Sequence, residues 1–464
     1  MSAVPEGDHL QAWTAPGTGA PRPIVLGAAG DAMAFDARGD ITRARFLAHV
    51  RGVAACLPQA AHAVNLCEDR YRFLVALCAA AMRGQVTLLP PSRAPQAVAQ
   101  VRHAHPDSYC LGDGAHGPLE CRSLPATLPE APGAAPCIDD HALAVIGFTS
   151  GSTGAPVANP KTWGSFSAST VQNLAALRDL WPAGATAHVV ATVPPQHMYG
   201  MELSVLLPLL GPAAVHAGRP LFPHDVARAL ADGGPHRLLV TTPVHLRALV
   251  ESGVALPPLR GVVSATAPLS KDLAAAAEAR FGCEVRELFG STETCVIARR
   301  RTARDDAWTP LPGVSVAPQP DGALVRAPHL PAPMRLADLV ETGSDGRFVL
   351  RGRSADLLEI AGKRASLGDL TRKLLAVPGV VDAVVLQPDD QDATAGGVRR
   401  VAALAVAPGL DAAAILAALR ATVDAVFLPR PLRVVPALPR NDTGKLPRAT
   451  VLALLRGGTA REGA

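Results

Sequence analysis

The chain has 464 residues, of which 48% are hydrophobic, 4% aromatic and 18% charged, with a formal net charge of +4. That length predicts two or three domains, and the apolar share excludes a disordered chain. Acids and bases are interspersed without a basic arm or stripe, which argues against a nucleic-acid partner.

The first residues, MSAVPEGDHL, carry neither a basic stretch nor an apolar core, and no run of about 18 apolar residues occurs, so neither a signal peptide nor a membrane span is expected. The eight cysteines form no C-x-x-C pair and no zinc spacing. Buried free thiols are expected, which suits a cytoplasmic location. Residues 1–22 read as a loose leader rich in Gly, Pro and Ala. Residues 63–66 then read as a strand, 71–83 as a helix and 85–89 as a strand, a βαβ unit that predicts a parallel sheet. A Pro-rich connector spans 124–136. Further strands are expected at 143–148, 187–193, 237–240, 261–264 and 284–288, with an alanine-rich helix at 271–281. After residue 307 short strands at 323–326 and 347–351 suggest a small antiparallel or barrel-like piece. From 357 a compact α+β region follows, with helices at 367–375 and 411–426 and strands near 380–386 and 400–407. The fold class is α/β. Residues 1–353 are expected to form a large domain of parallel and mixed sheets with a barrel-like subdomain, and 354–464 a small α+β domain.

Several segments carry chemistry. Residues 148–161 read FTSGSTGAPVANPK directly behind an apolar strand. Thr149, Ser150, Gly151, Ser152, Thr153 and Gly154 combine hydroxyls with two glycines. Glycine lets backbone approach a ligand, and hydroxyl and N–H donors suit a polyanion. The string is neither G-x-x-x-x-G-K-[ST] nor G-x-G-x-x-G. A plain Ser/Gly linker is the alternative, but Pro156, Pro160 and Lys161 follow rather than more Gly and Ser. Lysine itself is scarce: of 44 basic residues only Lys161, Lys271, Lys363, Lys373 and Lys445 are lysines, so each is a candidate for a needed compact ammonium.

Residues 286–294 read RELFGSTET after a strand. Glu293 there could hold Mg²⁺ while Thr292 bonds a phosphate oxygen, although Ser and Thr before Glu is also a helix-capping pattern. In LRGRSAD, 350–356, Arg353 could reach a ribose or phosphate, or lie on a surface turn. Lys445 tips a tight turn in LPRNDTGKLPR, 438–448, poised for another domain's cleft or merely solvated. The segment PPQHMYGME, 194–202, offers His197, Met198, Tyr199, Gly200 and Met201 to a small-molecule pocket, against a purely structural histidine.

In this order and spacing these segments resemble the acyl-adenylate-forming, AMP-binding enzymes: acyl- and aryl-CoA synthetases, peptide-synthetase adenylation domains and luciferases. FTSGSTGAP resembles the family's phosphate loop. FGSTE, Phe289 to Glu293, matches its Tyr-Gly-x-Thr-Glu motif with Phe for Tyr. LADLVETGSDGRFVLRGR resembles the ribose-binding region, and NDTGKLPR the segment with the catalytic lysine. The resemblance implies that Thr149 to Gly154 hold the β- and γ-phosphates of ATP, that Thr292 contacts the α-phosphate and that Glu293 binds Mg²⁺. It places Asp338 on the ribose hydroxyls with Arg353 beside it. Adenine would lie between Phe289 and the segment Ser264, Ala265, Thr266, Ala267, Pro268, with Gly290 also in the ATP site. Lys445 would bridge the substrate carboxylate and the α-phosphate. It also implies a mobile C-terminal domain, hinged at Ser354, Ala355 and Asp356, that withdraws Lys445 and brings in the segment around Lys363 for attack by the thiol of CoA or of a phosphopantetheine on a separate acyl carrier protein.

Two departures stand out. The family's lysine after Gly-x-Pro is Val157 here, with Lys161 as a candidate substitute. The hinge position matches Ala355, with Asp356 next to it. Amino-acid-activating members carry a pocket Asp where this chain has His197-Met198-Tyr199-Gly200, so an uncharged acid is expected, with His197 and Tyr199 favouring a hydroxybenzoate type. Residues 65–83 and the loop's Lys-x-Trp spacing look like ligases of aryl-polyene and xanthomonadin-type pigment pathways. The rival readings are a medium- or long-chain fatty acyl-CoA synthetase or fatty acyl-AMP ligase, and a non-catalytic nucleotide-binding regulator.

Overall fold

The computed structural model describes residues 21–114, 121–150, 156–353, 357–360, 363–388, 400–440 and 446–457. The chain divides into two compact units, residues 1–314 with 326–332, and residues 315–325 with 333–464. Among the described residues no helix is long and apolar enough to cross a membrane.

The first unit is built on two sheets. One has six strands in the spatial order Pro156–Thr162, Leu143–Ser150, Val86–Leu89, His62–Asn65, Ser108–Gly112, Arg122–Ser123. Its strands are parallel except the first, which pairs antiparallel with Leu143–Ser150. The other has nine, in the order Thr309–Pro310, Cys295–Arg300, Glu284–Ser291, Gly261–Ser264, Arg237–Thr241, Ala187–Ala191, Ala213–His216, Ala32–Asp36, Gly39–Thr42. Its middle is parallel and its outer strands are antiparallel.

The expected βαβ unit is present, with helix Arg70–Met82 between the two predicted strands. Asp69 caps it by accepting from the Arg72 amide. The helix is buried almost all round because it packs on both sheets, touching His62–Asn65 and Val86–Leu89 on one and Ala213–His216 on the other. Arg70 lies wholly inside, donating to the carbonyls of Ala191 and Val193 at 2.9 and 2.8 Å and to the Ser204 hydroxyl, so its charge fastens this helix to the end of a strand. The alanine-rich helix spans Lys271–Phe281 as expected; Ser270 caps its start, and Gly282, at φ 63°, ends it in the left-handed region.

In the second unit the antiparallel piece expected after residue 307 is a three-stranded sheet of Ser315–Gln319, Gly322–Arg326 and Met334–Leu336 and a hairpin of Asp338–Thr342 with Phe348–Arg353. Helix Leu367–Leu375 has the expected bounds, capped by Ser366 and burying Leu370 and Leu374. The helix expected over 411–426 is corrected: it covers Ala412–Leu419, and a separate turn, Ala425–Phe427, follows. Thr422 and Val423 are poor helix formers, and the Asp424 carboxylate accepts from the Val426 amide, which starts a new turn instead of continuing the old one.

The expectation of free thiols throughout is also corrected. Cys110 and Cys121 form a disulfide. Their strands pair in parallel with Leu111 opposite Arg122, so one residue back the two cysteines face each other with Cα atoms 4.5 Å apart. Cys67, Cys78 and Cys295 are buried free thiols, as expected.

Candidate active site

Three of the predicted segments meet in the first unit. On the antiparallel ladder Thr149 faces Val157, Gly147 faces Asn159 and Val145 faces Lys161. A Cβ on Gly147 would lie 3.4 Å from Thr292 Cγ2 and 3.6 Å from Met198 Cε. The strand that leads into the Ser/Thr/Gly loop therefore packs directly against the FGSTE turn and the HMYG segment. Gly151, Ser152, Thr153 and Gly154 lie outside the described residues; Thr149 and the backbone of Ser150 end the strand before them.

Thr292, Glu293 and Thr294 form the turn of a hairpin between Glu284–Ser291 and Cys295–Arg300. It is a three-residue loop followed by a residue in the left-handed region, which is commonly glycine but here is Cys295 at φ 57°. Gly290 is required by packing, since a Cβ there would sit 2.1 Å from the Cys295 carbonyl. The strained backbone is held from beneath by buried side chains. Lys161 Nζ donates to the Glu293 carbonyl at 2.5 Å. His329 Nε2 lies 2.6 Å from the Thr294 carbonyl. The Val296 amide donates to both carboxylate oxygens of Glu202, at 3.2 and 3.0 Å.

Glu202 is 1% exposed. Helix Trp163–Leu177 serves it with the Ser169 hydroxyl and, at 3.0 Å, the Asn173 amide. Burial pushes the Glu202 carboxyl up, while bonds from Ser169, Asn173 and Val296 and the nearby Lys161 charge act against that. The same helix presents Gln172 to His329 Nδ1 at 2.5 Å. Glu202 and His329 were not singled out from sequence. An acid inside the apolar run after Met198 was the available signal for Glu202.

The segment Ser264, Ala265, Thr266, Ala267 follows the end of a parallel strand, where open α/β sheets place their ligands. Thr266 is held at φ 82°, a second non-glycine outlier in the predicted site. The Leu269 amide donates to Glu287 Oε1 at 3.1 Å. Glu287 also accepts from Arg300 and Thr302, which ties this loop to the hairpin that carries Glu293. Phe289 packs on Trp308 with centroids 5.3 Å apart, and the Arg300 guanidinium lies 4.3 Å over Trp308.

Tyr199 is buried and donates its hydroxyl to the Val263 carbonyl at 2.8 Å. Its proton is thus committed within the fold, and Met201 is core. Lys161, the candidate substitute for the loop lysine, is only 6% exposed, whereas Val157 is 52% exposed. In the second unit Asp338 stands opposite Arg353 on the hairpin ladder. Lys445 and the hinge residues Ser354, Ala355 and Asp356 lie outside the described residues.

No group of three or more metal-binding side chains occurs among the described residues. Mg²⁺ bound with a nucleotide needs only one or two carboxylates beside the phosphates, and Glu293, half-buried on the hairpin turn, is of that kind.

A doubly wound sheet, with the strand before the Ser/Thr/Gly segment packed on the FGSTE turn, agrees with the expected adenylate-forming class. The profile of the family described as AMP-binding enzyme matches residues 27–325, so the chain belongs to that family and is an enzyme of the AMP-forming acid–thiol ligase class. The 4-coumarate–CoA ligase of Rhodobacter capsulatus is 34% identical to it over 301 residues, covering 64% of this chain and 73% of that one. The 3-hydroxybenzoate–CoA/4-hydroxybenzoate–CoA ligase of Thauera aromatica is 26% identical over 279 residues, 50% of this chain and 52% of its own length. The solved structure of o-succinylbenzoate CoA synthetase from Bacillus subtilis with its acyl-adenylate superposes with a TM-score of 0.76 at 18% identity, covering 92% of this chain and 95% of that one.

Proposed function

We propose that the chain activates an aromatic, hydroxybenzoate-like carboxylic acid with ATP and passes the acyl group to a phosphopantetheine thiol, that of CoA or of a separate carrier protein. The observation that carries this reading is the packing of the strand at Gly147 against Thr292 and Met198, which brings together the strand before the loop, the FGSTE turn and the HMYG segment. The named substrates of the curated relatives, 4-coumarate and hydroxybenzoates, support an aromatic acid. The likeness of residues 65–83 to pigment-pathway ligases supports the carrier-protein form of the acceptor.

The chemistry requires two anions to meet. A carboxylate oxygen attacks the α-phosphorus of ATP, pyrophosphate leaves, and the thiolate sulfur then attacks the acyl carbon and expels AMP. Residues 149–154 hold the β- and γ-phosphates, Thr292 the α-phosphate, and Asp338 with Arg353 the ribose. Glu293 holds Mg²⁺, which when bound offsets phosphate charge. Lys445 brings its ammonium to the reacting carboxylate and α-phosphate, where positive charge lowers the barrier most.

ATP–pyrophosphate exchange with 4-coumarate, 3- and 4-hydroxybenzoate, octanoate and palmitate tests this reading. Exchange is expected with the aromatic acids, and Lys445→Ala should slow it by about 10²–10³-fold, the size of losing one transition-state donor. Exchange with the fatty acids alone would move the assignment to a fatty acyl ligase. No exchange with any acid would overturn it.

A further inference from the structure

We propose that Lys161 and Glu202, both buried, hold the Thr292–Glu293 turn from beneath and so position it, and through it the metal-binding carboxylate. The inference rests on the reading that Glu293 holds Mg²⁺ beside ATP.

The alternative is that Lys161 replaces the loop lysine by touching phosphate. The ladder argues against it. Lys161 stands four residues beyond Val157 on an extended strand, a displacement of about 13 Å. Its ammonium is directed inward, donating to the Glu293 carbonyl at 2.5 Å, with the side chain almost sealed from solvent. Glu202, also buried, holds the other side of the same turn: its carboxyl accepts from the Val296 amide and is itself fixed by the donors Ser169 and Asn173. Four elements of the first unit are thereby joined under one turn: the Pro156–Thr162 strand through Lys161, helix Trp163–Leu177 through Ser169 and Asn173, the segment at Glu202, and the hairpin through Glu293 and Val296.

The pair grips the turn at two backbone groups, the Glu293 carbonyl and the Val296 amide, three residues apart. The Glu293 side chain is half-buried. Lys161 is therefore a positioning residue. It acts on the metal's ligand, as the hydrogen-bonded partners around other metal sites act on theirs.

The test is ATP binding by the full chain, measured by calorimetry with Mg²⁺ and, separately, with EDTA. Lys161→Met should weaken Mg²⁺-dependent ATP binding by about 10–100-fold and leave metal-free ATP binding within about twofold. Lys161→Arg should recover part of the loss. Ser169→Ala, which removes one donor to Glu202 without stranding a charge, should give a smaller loss of the same kind and decides the matter if Lys161→Met does not fold. Equal weakening with and without metal would show that Lys161 touches phosphate and overturn the proposal, and so would unchanged binding in both. If the unaltered chain bound no Mg²⁺–ATP at all, the functional reading itself would fail and the inference with it, an outcome distinct from a failure confined to the variants.

Discussion

Gly200 shows what a single residue contributes to this site. A Cβ there would lie 2.0 Å from the Pro194 carbonyl. The Gly200 carbonyl accepts from Ser204, which in turn accepts from the buried Arg70, so the helix cannot simply shift to make room. Gly200→Ala should therefore push the 194–197 loop outward and cost about 1–3 kcal/mol, the usual range for overpacking. Urea unfolding checks it, and an unchanged midpoint would mean the Pro194 carbonyl has slack. From sequence this glycine was one letter of a pocket segment, because the carbonyl it must clear is set by tertiary packing. Lys161 was legible in a different way. The scarcity of lysine pointed to it, but its partners did not follow, since Glu293 lies 132 positions away and bonds through its backbone, which no side-chain pattern encodes. Tyr199 ran the other way: its hydroxyl suggested a ligand contact, and the fold spends its proton on the Val263 carbonyl.

Elements were more legible than their partnerships. Hydrophobic runs and alternation gave most of the parallel strands, and the Ser270 and Gly282 caps bracket helix Lys271–Phe281, because those signals are local. What locks that helix to the sheet is not local. Glu278 accepts from Arg301 Nε and Nη2, both at 2.8 Å, and from the Val285 amide at 3.0 Å. Burial acts to raise the Glu278 carboxyl, but the Arg301 bonds and the Val285 amide outweigh it, so the carboxyl lies below its usual value of 4.5. A depressed carboxyl contributes stability that is fully present above the unfolded value and is lost as pH falls through the folded one. Glu278→Gln should thus cost about 1 kcal/mol at pH 7, kept small because the pair reaches solvent, with the deficit shrinking below pH 4.5. Unfolding curves at pH 7 and near pH 4 measure it; a deficit that stayed constant would show that the charge of Glu278 contributes nothing.

At the scale of the whole molecule, the proposed hinge and the packing divide the chain at different places. The hinge was placed at 354–356 by resemblance, whereas the contacts assign residues 315–325 and 333–353 to the same unit as the C-terminal region. The reason is visible within that unit. The hairpin strand Phe348–Arg353 packs against helix Leu367–Leu375, and Arg372 Nη1 donates to the Leu350 carbonyl at 3.1 Å. Sequence could not foretell this, since a hairpin followed by a helix has the same local pattern whichever core it joins. Residues 326–332 return to the first unit, where His329 reaches the Thr294 carbonyl beneath the candidate metal turn. A chain ending at residue 332 should therefore keep its first unit folded and unfold cooperatively. One ending at 353 should gain nothing from the added residues, because their strands have lost the helix they cover, and trypsin should cut it first at Arg335, Arg347 or Arg351. Limited proteolysis read by mass spectrometry decides between them. Protection of 333–353 in the chain ending at 353 equal to that in the full chain would mean that this hairpin belongs energetically to the first unit and that the folding boundary lies near 353.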